Sequence, residues 1–522
     1  MSATQEKYDL DQKILKVICE NGDWNFTIRQ AVEGVQIFGG IGSGKTSGSG
    51  RTLALSYLDK GFGGLVLTVK PDEKDQWIEY CKMTGRSDDL VIIGPNHKNR
   101  FNFLEYESAQ SETGKTYTEN IAQVLKTVIQ AAQAKDMMRG SDDGFWEQAL
   151  DMLIFNIIDL CQLAYGQITI ERMYDIAQTI PKFEEPAFLT KDDWISYQEE
   201  MAERGKSPRE LTPFEEAMIA AHTDVTQAIH KYKNANAEHM TELMGGLSFS
   251  EFIKKKFPKA RTYFYIRQFF MESYRGLYEK TRSIIDFTFS GFMFRLLRDP
   301  AFSLFCEGKS TVKPEDSLNG KIILIDLDVK SYHKVGRDCQ ILFKYIWQRA
   351  MEKRNIAHND RPVFLWADEA QNFLHEHDPV FQATARSSRI ATVYITQNLP
   401  NYFAAMGGQN GHAKVSGFLG TMATKFFHAN ADIETNRYAS DLVGQMYFEK
   451  MDRGITASES FSASRNISIN LEQVFRPEDF VTLRGGSAMN NFCVEAIAHR
   501  QGDPVIAGKN YGRVLFHQQY HP

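Results

Sequence analysis

The stretch F-G-G-I-G-S-G-K-T-S-G-S-G (Phe38–Gly50) sets a lysine and a threonine inside a run of glycine and serine. A run of this kind is either a solvated linker or a loop that wraps a phosphate. Its flanks decide between them. Upstream, A-V-E-G-V-Q-I-F (31–38) is short and β-prone. Downstream, R-T-L-A-L-S-Y-L-D-K-G (51–61) is helical in composition and closes on Gly61. Between the two, Gly39, Gly44, Lys45 and Thr46 fit G-x-x-x-x-G-K-[ST], and Gly40, Gly42, Ser43 and Ser47 belong to the same expected phosphate-binding surface. Glycines let backbone N–H groups turn inward around an anion, and the following helix adds its N-terminal dipole. Lys45 would carry a point charge to the β- and γ-phosphates. The Thr46 hydroxyl would ligate Mg²⁺, so ATP and Mg²⁺ are the expected cofactors.

Hydrolysis needs carboxylates on a second strand. P-V-F-L-W-A-D-E-A-Q (362–371) supplies an apolar run ending in two acids. Asp368 is expected to hold Mg²⁺, and Glu369 to polarise the attacking water as general base. I-I-L-I-D-L-D (322–328) is a rival, but Asp326 and Asp328 read better as acids lining the same sheet edge. R-S-S-R-I-A-T-V-Y-I-T-Q-N (386–398) adds a buried strand over 390–395 with Gln397 at its end, where a glutamine can sense a γ-phosphate or orient water. Arg386 and Arg389 precede that strand. Either is a surface arginine or a finger reaching a neighbouring subunit's γ-phosphate, and Arg437 is a third candidate.

These groups need a scaffold. Further strand-like runs, at 64–71, 89–95, 423–430 and 491–498, alternate with helical text. That pattern predicts an α/β class: a RecA-like P-loop NTPase core with a mostly parallel sheet covered on both faces. More than 300 residues separate Lys45 from Asp368, so a domain is inserted between them. Residues 109–310 are expected to form an all-α domain, with residues 1–108 and 311–522 making a discontinuous motor domain. Within the insert, 150–164 is the most apolar stretch, yet it contains two aspartates and falls short of a membrane span. It is expected to be a buried helix. The charged, proline-containing segment 182–214 reads as a loop.

The composition of 522 residues is globular, with 43% hydrophobic and 24% charged residues, and it points to two or more domains. A net charge of −6 neither advertises nor excludes a nucleic-acid channel. Six scattered cysteines without C-x-x-C read as reduced thiols, and residues 1–20 contain no apolar leader core, so a cytoplasmic chain is expected. K-K-K-F-P-K-A-R-T-Y-F-Y-I-R (254–267) is either a nucleic-acid contact or a solvated helix face over an aromatic strip. His375 and His377 lack a third ligand at motif spacing.

Several of these features also occur in a characteristic order. The G-G-I-G-S-G-K-T loop is followed by G-L-V-L-T-V-K-P, N-R-F-N-F-L (99–104), D-G-F-W-E-Q-A-L, L-W-A-D-E-A-Q-N-F and R-S-S-R-I-A-T-V-Y-I-T-Q-N, and then by D-x-x-T…S-x-x-x-G (432–444). The series resembles the coupling-protein ATPases of conjugation and type IV secretion (TraG/TraD-like), of the FtsK–HerA translocase superfamily. The resemblance implies a homohexameric ring, DNA in a central channel, an arginine from 386–389 acting across the subunit interface, and a relaxase, nuclease or effector as a possible protein partner. The chain departs from the family in lacking the usual N-terminal membrane helices, and V-K-P-D-E (69–73) stands where the family often has Asp-Pro-Lys-Gly. A second function stays open on the same residues: a nucleotide-gated platform that recruits a protein through the all-α domain.

Overall fold

The computed structural model describes residues 8–20, 22–109, 117–133, 143–407, 410–457, 461–506 and 508–522. Two compact units emerge. One takes its residues from Met1–Lys98, Ala131–Met138 and Val312–Pro522, the other from Asn99–Gln130 and Arg139–Thr311.

The first unit is built on a sheet. In chain order its strands are β1 (Lys13–Cys19), β2 (Gly22–Thr27), β3 (Val35–Phe38), β4 (Gly63–Leu67), β5 (Leu90–Ile93), β6 (Ile322–Ile325), β7 (Val363–Ala367), β8 (Ile390–Thr396) and β9 (Thr424–Phe427). β10 (Gln445–Ala457) and β11 (Phe461–Gln473) form a separate two-stranded ribbon, and β12 (Cys493–Arg500) and β13 (Tyr511–His517) return to the sheet. The sheet order is β2-β1-β13-β12-β9-β3-β8-β7-β4-β6-β5. From β9 to β5 every pairing is parallel, and from β9 outward to β2 every pairing is antiparallel. The expected α/β class with a mostly parallel sheet is therefore found.

The central strands are apolar because both of their faces are covered. Every residue of β3, β4, β6, β7, β8 and β9 is buried. Helices α1 (Ile28–Val32), α2 (Arg51–Asp59) and α3 (Glu73–Met83) contribute to the covering. One face packs Leu53, Tyr57, Trp77 and Tyr80 against Phe364 and Trp366. Trp77 stacks on Phe364 at 5.6 Å and meets Trp366 edge-on at 5.4 Å. Behind the end of β7 lies a buried polar network. Lys344 donates to Asp378 at 2.7 Å and to the Phe373 carbonyl at 2.8 Å, and Tyr394 donates to the other Asp378 oxygen at 3.0 Å. It ties the chain just past the paired acids to β8 and to the helix Val329–Glu352.

The second unit contains helices and, among the described residues, no strand. The apolar stretch 150–164 lies in the helix Asp143–Tyr165, with Leu153, Ile154, Ile157, Ile158 and Cys161 buried. Among the described residues, no single helix is long and apolar enough to cross a membrane. The expectation of a loop over 182–214 needs correcting. Lys191–Glu203 is a helix capped by Thr190, and Phe188, Trp194 and Tyr197 cluster at ring distances of 4.7–5.5 Å. Arg209 lies 4.9 Å over the Phe188 ring and makes a forked pair of bonds to Glu215. The aromatic residues dispersed among charges anchor the segment, and charge density alone concealed them.

Candidate nucleotide site

β3, β8 and β7 are adjacent and parallel, so their C-terminal ends emerge at one edge of the sheet. The glycine loop follows β3, the paired acids follow β7, and Gln397 follows β8. Topology alone thus brings Lys45, Thr46, Asp368, Glu369 and Gln397 together.

The loop is shaped by what lies beneath it. Gly44 has φ +82°, and a Cβ there would sit 2.7 Å from Val494 Cγ2 on β12. A Cβ at Gly48 would sit 3.1 Å from Val494 Cβ, so the trailing S-G-S-G is small where the first turn presses on β12. That turn is wide: the Gly50 N–H reaches back five residues to the Lys45 carbonyl at 2.9 Å. Its serines are tied down. Ser49 Oγ bonds His428 Nε2 at 2.7 Å, and Ser47 Oγ accepts from Gln518 Nε2 at 2.6 Å. Among the described residues, the N–H groups of Gly42, Gly44 and Lys45 take no partner in the chain, and the buried Ser43 Oγ makes no hydrogen bond. These are donors an anion would satisfy.

Thr46 Oγ1 donates to Asp368 Oδ2 at 2.7 Å across 322 positions of sequence. Asp368 is 4% exposed, and burial pushes its carboxyl above the usual range against the pull of Lys70. A hydroxyl and a carboxylate side by side are hard oxygen donors, which fit Mg²⁺ better than a softer metal. Glu369 holds φ +49°, a left-handed conformation that a non-glycine residue adopts only when its surroundings impose it. Gln371 Nε2 donates to it at 2.8 Å and Gln397 Nε2 at 3.2 Å, while the Asn372 amide donates to its backbone carbonyl. Gln371 is itself fixed by Thr396 Oγ1, which donates to its Oε1 at 2.9 Å. The result is a carboxylate steered by two amides beside a second carboxylate that faces the loop.

Three contributors went unassigned in the sequence. Gln371 is the Q of D-E-A-Q, brought to Glu369 by one tight turn. Lys70 lies 4.0 Å from Asp368, and Glu73 lies 4.0 Å from Lys70. The V-K-P-D-E segment after β4 was the available signal for both.

The arginines lie elsewhere. Arg386 and Arg389 precede β8, so they sit at the opposite sheet edge from Gln397, one strand length of roughly 20 Å away. Arg386 is exposed and pairs with Glu33 at 3.3 Å. Arg389, at φ +51°, spends its guanidinium on the Tyr8 and Asp360 carbonyls. Arg437 is exposed on the helix Ile433–Val443. Asp326 pairs with Lys74 at 3.0 Å, and Asp328 caps the helix Val329–Glu352 through the Ser331 N–H. His375 is buried beside Asp378. In the other unit, Lys254 lies over the Phe264 ring and Lys256 over the Tyr232 ring, and Lys259 pairs with Asp224 at 3.0 Å.

Residues 362–484 match the family described as the TraM recognition site of TraD and TraG. In solved structures, the chain is similar to the unbound bacterial conjugative coupling protein TrwBdeltaN70, with TM-score 0.59 and 12% identity over 100% of this chain and 96% of that one. The plasmid coupling protein TrwB with the ATP analogue ADPNP aligns at TM-score 0.56 and 11% identity, covering 99% and 97%. TrwB with ADP and Mg²⁺ aligns at 0.54 and 12%, covering 95% and 88%. At such identities the likeness establishes a shared fold. No curated protein sequence matches the chain.

Proposed function

We propose that this chain, TraG/TraD-like through residues 362–484 and alike in fold to the coupling protein TrwB, is an ATP-hydrolysing motor that moves DNA through a homohexameric ring. One observation carries the reading: the Thr46–Asp368 hydrogen bond, with Glu369 beside it under the control of Gln371 and Gln397. Solved structures of TrwB hold ADPNP, or ADP with Mg²⁺, and the same cofactors are proposed here.

In this reading the N–H groups of Gly42, Gly44 and Lys45 cradle the phosphates, and Lys45 supplies a positive charge to them. Gly39, Gly40 and Ser43 complete the cradle, and Ser47 holds the following turn. Thr46 and Asp368 hold Mg²⁺, which when bound neutralises charge on the β- and γ-phosphates. Glu369 takes the proton from the attacking water, and the two amides fix the carboxylate in the orientation that task needs. Arg389 is spent within its own chain. Arg386, exposed although paired with Glu33, is the arginine left to serve the nucleotide of a neighbouring subunit, since its own lies at the other sheet edge. Residues 1–108 and 311–522 form the motor domain and 109–310 the inserted all-α domain.

The test is ATP turnover with and without DNA across a salt series. DNA is expected to stimulate turnover, with an effect that falls steeply as salt rises and counterion release loses its advantage. No DNA binding and no stimulation at low salt would refute the motor.

A second reading, a recruitment platform for a protein partner, is favoured by one feature. The family matching 362–484 is described by TraM recognition, and this segment contains the β10–β11 ribbon. The register sets Tyr447 opposite Leu471, on the face that also bears Ile467 and Ile469, and all four are exposed. An apolar face on a two-stranded ribbon suits a protein contact.

A further inference from the structure

We infer that Glu73 is a third acid of the nucleotide site, positioned to hold water on the Mg²⁺ that Thr46 and Asp368 bind; the inference rests on the nucleotide-site reading above. Glu73 opens α3 and is 7% exposed. Its two carboxylate oxygens have different situations. Oε2 accepts the Val69 N–H at 2.7 Å and so closes the turn between β4 and α3. That is a structural duty, and a glutamine could perform it. Among the described residues, Oε1 finds no hydrogen-bond partner, although it is buried. Buried oxygens rarely go unpaired, because water solvation is lost and nothing replaces it.

The cavity beside Glu73 is lined also by Thr46, Asp368, Arg51, Gln76 and Tyr80. Thr46 Oγ1 and Asp368 Oδ2 face each other there. Lys70 Nζ lies 4.0 Å from Glu73 Oε1 and 4.0 Å from Asp368 Oδ2, so one half-buried ammonium serves two buried carboxylates. An unpaired carboxylate oxygen in a cavity shared with Thr46 and Asp368 is suited to accept from a water held by a cation there. Among the described residues Glu73 bonds neither Thr46 nor Asp368, which bond each other. Its natural place is therefore outside the direct ligands, accepting from a metal-bound water as outer-shell carboxylates do. In this role it positions the metal rather than reacting.

The test is binding of a fluorescent ADP analogue to the full chain, titrated with Mg²⁺. Glu73→Gln keeps the Val69 bond and removes the charge. It is expected to leave Mg²⁺-free affinity within about twofold and to raise the Mg²⁺ midpoint about tenfold. Glu73→Asp keeps the charge but withdraws it by one methylene. It is expected to shift the midpoint in the same direction, and it decides the question if the glutamine variant does not fold. A Mg²⁺ midpoint unchanged within twofold, with Mg²⁺-free affinity intact, overturns the role of Glu73 and leaves the nucleotide site standing. Failure of the unaltered chain to bind the analogue at any Mg²⁺ concentration overturns the nucleotide-site reading and this inference with it.

Discussion

Replacing Glu369 with glutamine separates chemistry from binding, and the surrounding bonds allow its side effects to be worked out. The carboxylate accepts from Gln371 and Gln397, both through Nε2. A glutamine at 369 offers one acceptor and one amino group, so one of the two neighbours must turn its amide. Gln371 is held in its present orientation by Thr396 Oγ1, which donates to its Oε1. Gln397 can turn, because its Oε1 takes no hydrogen bond among the described residues; apart from the Glu369 bond, Asn430 Nδ2 donates to its backbone carbonyl. One amide flip therefore absorbs the change, and folding stability should move by no more than about 1 kcal/mol. The P-loop and the Thr46–Asp368 pair are untouched, so ATP affinity should stay within about threefold. Loss of the general base should lower turnover by about 10²- to 10⁴-fold, or about 2.7–5.5 kcal/mol in the barrier. Phosphate release, equilibrium nucleotide binding and a denaturant midpoint measured on the same preparation check all three. Turnover within threefold of the unaltered chain, with binding and midpoint preserved, would refute the assignment of Glu369 as base.

Gly44→Ala should abolish nucleotide binding, since the new Cβ meets Val494 at 2.7 Å and φ +82° adds about 1–2 kcal/mol of strain; unchanged affinity for an ADP analogue would count against the loop geometry. His428 is fully buried, and burial lowers its pKa to about 4. The unfolded chain takes up a proton near pH 6.5 that the folded chain refuses, so this contribution is complete above about 6.5 and is lost as pH falls toward 4, by about 3 kcal/mol. Denaturant midpoints of the unaltered chain should therefore drop more steeply over that range than those of His428→Gln, and parallel curves would contradict it. Mixing Arg386→Ala chains with Lys45→Ala chains should restore part of the ATPase activity, because some interfaces then join an intact loop to an intact arginine. No recovery at any ratio, with co-assembly verified, removes Arg386 from the trans role.

The parallel strands were legible because both of their faces are buried, which writes them as unbroken apolar runs: V-F-L-W-A for β7, I-A-T-V-Y-I-T for β8, I-I-L-I for β6. Of the antiparallel flank only β12 was, through the run at 491–498. In β1, K-I-L-K-V-I-C, buried and exposed residues largely alternate, and the run is too short to stand out from a polar N-terminal segment. The β10–β11 ribbon escaped notice for a related reason. Polar residues interrupt the apolar ones in both of its strands, so neither reads as the unbroken apolar run of a strand buried on both faces. Segment 182–214 misled in the opposite direction, because three aromatic residues at 188, 194 and 197 outweigh a surrounding excess of charge once they touch.

By itself the sequence determined the kind of site and its end of the sheet. A glycine loop, two acids and a glutamine each follow a strand, and parallel strands deliver whatever follows them to the same edge. Equally, residues that precede a strand, such as Arg386 and Arg389, must lie at the other edge. What only the tertiary structure decided is which side chains close the remaining distances. Thr46 meets Asp368, Gln371 rather than Gln397 alone steers Glu369, and Lys70 joins Glu73 to Asp368. Hydrogen bonds act over about 3 Å and depend on direction, whereas hydrophobic periodicity reports only which face of an element is covered. Val494 makes the same point for the trailing S-G-S-G. Its side chain, more than 440 residues from the loop, leaves no room for a Cβ at Gly44 and little at Gly48, and no local pattern records that wall.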